Sequence, residues 1–149
     1  AAAFATAVQQ LADGKAAAAV PVFAKNVSDP VLGGYALLAQ GRAQLAAKKP
    51  ADAKFTAQQL IKVEPRDYLR EASFVLLADA SEATSDWAGA VRALEGALET
   101  KPVGGASLNL RLGRAAKPQI QRSAAHRLRL RFRVVDGSRR RAGRTGHVD

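Results

Sequence analysis

Between residues 29 and 101 apolar positions recur every three to four residues, and all but one of the runs stop at a proline. This is the periodicity of helices with one buried face. Leu37, Leu38, Gly41 and Leu45 mark one helix, which starts at Asp29-Pro30 and ends at Lys48-Lys49-Pro50. Aspartate can cap free amides, and proline at the first helical position loses no needed donor. Residues 50–63 predict a second helix through Phe55, Leu60 and Ile61, broken by Pro65-Arg66-Asp67. Asp67 is expected to cap a third over 68–83, with Phe74, Leu77, Ala78 and Ser81 on one side. Thr84-Ser85-Asp86 turns the chain. Trp87, Ala90, Leu94 and Leu98 mark a fourth helix, stopped by Lys101-Pro102, and another begins at Ser107-Leu108. Upstream, Phe4–Ala12 and Ala16–Val27 form an earlier hairpin around Asp13-Gly14.

These helices repeat. Pro65 and Pro102 stand 37 residues apart, as do Ala53 and Ala90, Leu60 and Ala97, Ile61 and Leu98, and Gly41 and Ala78. Gly113 follows Ala78 by 35, and Pro30 precedes Pro65 by 35. A period of this length is the signature of stacked helical hairpins. The expected fold is all-α: a solenoid of three hairpins and the start of a fourth over residues 1–116. A basic, irregular tail is expected over 117–149.

The unit Phe74, Leu77-Ala78, Ser81, Trp87, Ala90, Leu94, Ala97-Leu98 and Pro102 resembles the tetratricopeptide repeat. Ser81 stands where that family usually carries tyrosine. Tyr35–Leu45, Tyr68–Ala72 and Asp86–Leu94 are similar to the helical N-terminal region of bacterial soluble lytic murein transglycosylases. That likeness covers about residues 20–116. It implies a superhelix that precedes a peptidoglycan-cleaving domain in the periplasm or cell envelope. The family's catalytic motif is a Glu-Ser pair followed by a Gly-Leu-Met-Gln segment. Here Glu71 is followed by Ala72, and no methionine exists to complete the second part. A non-catalytic scaffold or binding module is therefore expected, with the catalytic domain missing from this chain.

Charge changes the picture only at the end. Residues 1–110 hold 11 basic and 11 acidic side chains, whereas 111–149 hold 12 basic residues against Asp136 and Asp149. The net charge of +10 thus belongs to the C-terminal stretch. Within it Arg127, Arg129, Arg131 and Arg133 alternate with Leu128, Leu130, Phe132 and Val134, which predicts a strand. Asp136-Gly137 predicts a turn, followed by Arg139, Arg140 and Arg141. These arginines are candidate contacts to nucleic acid or another polyanion. The same text better fits a disordered tail, or an end read out of frame after the fourth hairpin breaks off at Pro118.

Other chemistry finds little footing. The chain has no cysteine, and His126 and His147 are not spaced as a ligand pair, so neither cofactor nor metal is expected. No apolar run is long enough to span a membrane. With no methionine, the chain reads as a processed product or a fragment. Trp87 could stack on a sugar, although a packing role suits its repeat position. The first helix of each hairpin should line a concave groove. Phe4, Val8, Tyr35, Leu38, Arg42, Asp79, Glu82, Leu110 and Arg114 are the candidates to face it. Their mixed charge suits a peptide or a partner domain, and equally suits ordinary solvated helix faces.

Overall fold

The computed structural model describes residues 2–102 and 104–142, with side chains described as far as His126. Seven helices and no strand occur among the described residues: α1 (Ala2–Ala12), α2 (Ala16–Lys25), α3 (Gly33–Ala46), α4 (Pro50–Lys62), α5 (Asp67–Ala83), α6 (Trp87–Glu99) and α7 (Gly105–Ala142). Each helix packs on its neighbours in sequence, and α3 also packs against α5.

From α3 onward two kinds of turn alternate. After α1, α3 and α5, one residue turns left-handed: Gly14 (φ 77°), Lys48 (φ 61°) and Ser85 (φ 58°). Two backbone bonds close each turn, as in Lys48 N–H to Leu45 O (3.0 Å) and Lys49 N–H to Gln44 O (2.8 Å). The same pair recurs as Ser85 to Glu82 and Asp86 to Ser81. These are Schellman closures. The residue giving the second bond, Lys15, Lys49 or Asp86, is also the first cap of the next helix. After α4 and α6 the left-handed residues are Glu64 (φ 48°) and Lys101 (φ 55°). There the next residue is Pro65 or Pro102, which has no N–H to give, so only the first bond forms.

Burial follows the spacing found in the sequence. The four buried residues of α4 are Ala53, Thr56, Ala57 and Leu60, and those of α6 are Ala90, Ala93, Leu94 and Ala97. Each member of the second set follows its counterpart by 37. Small residues at these sites let helix backbones approach closely, and leucines fill the spaces between. Three apolar clusters result. Phe23 anchors the first with Ala7, Ala19 and Ala43, and Phe4 meets its ring edge-on at 5.3 Å. Leu38, Ala57, Leu60, Ala72 and Leu76 form the second. Ala78, Ala90, Ala93, Leu94, Ala97, Leu108 and Ala115 form the third, with Trp87 packed against it. Gly41 sits under Leu76, and a side-chain carbon there would run into the leucine methyls. Gly41→Leu is expected to lower stability by about 1–3 kcal/mol through overpacking, read from a urea melt followed by circular dichroism.

Several local expectations need correction. Residues 127–135 are helical, not extended, and Asp136-Gly137 lies within α7 rather than in a turn. A lone strand leaves its backbone donors and acceptors without partners, whereas a helix pairs them internally, and arginine, leucine and alanine are good helix formers. Pro118 does not end the helix but lies inside it. The part of the expected irregular tail that is described, residues 117–142, is therefore helical; 143–149 lie outside the described residues. Asp67 makes no side-chain cap; Arg66 holds that position. Asp29 Oδ1 accepts from Val31 and Leu32 N–H, both at 2.8 Å, but it closes a turn, and regular helix starts only at Gly33. Gly113 is exposed with open space around it, and Ala115 takes the buried place in α7.

Candidate functional site

The α4–α5–α6 arrangement leaves an open cleft of about 620 Å³. Lys54, Gln58, Ile61 and Lys62 from α4 form one wall, and Gly89, Arg92 and Ala93 from α6 form the other. Phe74, Leu77 and Ser81 of α5 make the floor. A second cleft of about 730 Å³ adjoins it, sharing Ile61 and Phe74 and running past Arg66, Arg70 and Ser73. Gly96 lets α6 come close to Phe74, because a side-chain carbon there would strike the Phe74 ring.

Asp86 organises one end of the first cleft. Its Oδ1 accepts from Gly89 N–H at 2.9 Å, capping α6, and Lys54 Nζ donates to its Oδ2 at 2.5 Å. The Lys54 bond, then the Gly89 bond, hold the Asp86 carboxyl below the usual carboxylate range against a small opposing effect of burial. Arg92 adds a weaker attraction. Among the described residues neither Lys62 nor Arg92 is in an ion pair. Ser81 is fully buried, and its Oγ has no hydrogen-bond partner.

The groove expected from the first helices looks different. Arg42 donates to Tyr68 Oη at 3.1 Å, linking α3 to α5. Arg111 Nη2 donates to Asp79 at 2.6 Å and Glu82 at 3.1 Å, tying α7 to α5. Burial alone would lower the Arg111 pKa, but Asp79 and then Glu82 outweigh it and raise it. Asp79 and Glu82 are thus engaged within the chain. Tyr35, Val8, Leu110 and Arg114 are exposed, and Phe4 packs on Phe23. Leu38 is corrected outright: it is 4 % exposed and belongs to the second apolar cluster, since α3 packs against both α4 and α5.

Arg127, Arg129, Arg131, Arg133, Arg139, Arg140 and Arg141 all fall on the α7 backbone. No group of three His, Cys, Asp or Glu suited to a metal occurs among the described residues, and no described helix is long and apolar enough to cross a membrane.

Sequence reasoning missed the cleft. Its signal was available at the 37-residue offset. Gln44 and Thr56 bond to each other in the interior, Thr56 Oγ1 to Gln44 Oε1 at 2.8 Å. Their counterparts are Ser81 and Ala93, both of which line the cleft. Compared with protein-family models, curated proteins and solved structures, the chain matches none.

Proposed function

We propose that the chain is a non-catalytic binding module built as a short solenoid of stacked helical hairpins, with a protein or peptide segment as its ligand. The observation that carries this reading is the matched burial of α4 and α6 at a constant offset. Packing of each helix on its neighbours, with α3 also reaching α5, is what stacked hairpins produce. The α4–α6 cleft, continuous with the second, offers a binding surface of suitable size. The segments similar to the lytic transglycosylase superhelix extend the proposal to a role beside a peptidoglycan-cleaving domain in the periplasm or cell envelope. Incubated with purified sacculi, this chain is expected to release no soluble fragments; release would overturn the non-catalytic reading. A displayed random-peptide library is expected to yield binders that slow amide exchange in α4 and α6. Failure to enrich any binder would overturn the module reading.

A second reading rests on α7. Residues 121–126 are all exposed, and the helix continues through the arginine-rich stretch. A cationic helical stretch that follows these exposed residues suits a nucleic acid or another polyanion. An adaptor of this kind should bind a short single-stranded oligonucleotide with an affinity that falls steeply with salt. That binding should vanish when residues 117–149 are deleted.

A further inference from the structure

The difference between the two equivalent helix pairs points to what the cleft takes. In α3–α4, Gln44 spans the interior to Thr56, so the polar groups satisfy each other and the space is filled. In α5–α6, Ser81 and Ala93 occupy the same register. The serine is too short to reach across, and alanine offers no hydroxyl. A buried hydroxyl without a partner costs free energy unless something supplies one. Above it, Gly89 has no side chain to close the space: a carbon there would come within 3.1 Å of Ser81 Oγ and still closer to Asp86. The cleft therefore exists because three positions carry small residues.

Its charge is one-sided. Lys54 and Asp86 are paired with each other, which leaves Lys62 and Arg92 as cations at the rim. Ile61, Phe74 and Leu77 provide apolar surface beside them. We propose that this cleft seats an acidic peptide segment, with a carboxylate drawn toward Lys62 and Arg92 and an adjacent apolar side chain on Phe74 and Leu77. The proposal rests on the binding-module reading and names its ligand class.

The test uses the full chain and two fluorescein-labelled probes, Glu-Leu-Glu-Leu-Glu and Gln-Leu-Gln-Leu-Gln, followed by anisotropy at low salt. The acidic probe should bind at least about tenfold more tightly than the neutral one. Lys62→Glu with Arg92→Glu should remove most of that difference. Ser81→Gln with Ala93→Thr should rebuild the interior pair of α3–α4, fill the cleft, abolish binding, and leave the melting temperature unchanged or higher. That stability readout separates a filled site from a misfolded chain. Equal binding of both probes, lost on filling, would overturn the acidic class while keeping the cleft as a peptide site. Binding that survives filling would overturn the cleft but leave a module acting through another surface. Absence of binding by the acidic probe would overturn the proposal itself.

Discussion

Leu60→Ala is expected to lower the stability of the chain by about 2–5 kcal/mol, read as a lower urea midpoint by circular dichroism. Leu60 is fully buried where α3, α4 and α5 meet, in contact with the cluster of Leu38, Ala57, Ala72 and Leu76. Apart from Ala57 and Ala72 the surrounding side chains are leucines, and how far they can move into the space sets where in that range the loss falls. Phe55, five residues earlier on the same helix, is 61 % exposed despite its apolar character. Phe55→Ala should stay within about 0.5 kcal/mol of the parent, as surface changes usually do. If the two substitutions cost the same, the burial assigned to α4 is wrong.

Asp86→Ala should have the next largest effect, about 1–3 kcal/mol, because one carboxylate both caps α6 and holds Lys54. Loss of a cap costs about 0.5–2 kcal/mol. The Lys54 pair is partly exposed and adds at most about 1 kcal/mol. Asp86→Asn separates the two roles. Asparagine caps as well as aspartate but carries no charge, so it should cost less than about 1 kcal/mol. The pH dependence follows from the depressed Asp86 pKa. The unfolded chain takes up this proton more readily than the folded one. The stabilisation is therefore complete above the ordinary aspartate pKa, about 3.9, and is lost as pH falls through the lower folded value. The gap between the parent and Asp86→Asn should thus shrink in acid. A gap that widened below pH 3.8 would contradict the Lys54 contact.

The helices were legible where punctuation was strong. Pro50 opens α4, Pro65 separates α4 from α5 and Pro102 follows α6, each within three residues of a helix end, because proline forbids what a helix interior needs. The inward positions of α4 and α6 were legible as paired small residues. What failed was whatever depended on a partner. Arg127–Val135 has the period of a strand, but period alone cannot provide a neighbouring strand, and the backbone is helical. Leu38 sat at a spacing that fits either an inward or an outward face, and only the position of α5 decides. Asp79 and Glu82 looked free because Arg111 lies about thirty residues away in sequence. The cleft was hidden for another reason: it is defined by side chains that are short. Ser81 and Ala93 are unremarkable alone and become informative only beside Gln44 and Thr56.

The alternation of turns gives this array unequal mechanics. At Lys15, Lys49 and Asp86 a single residue closes one helix and opens the next, so no slack lies between the two, and the pair can shift only as one body. At Glu64-Pro65 and Lys101-Pro102 half of that clasp is missing, since proline has nothing to donate. From α3 onward, bending or torsion should concentrate at those two joints. The α4–α6 cleft is crossed by one of them: its α4 wall lies before Pro65, while its floor and other wall lie after it. For the binding module proposed above, a compliant hinge between the two walls would let the cleft adjust its width to its ligand without unfolding either side.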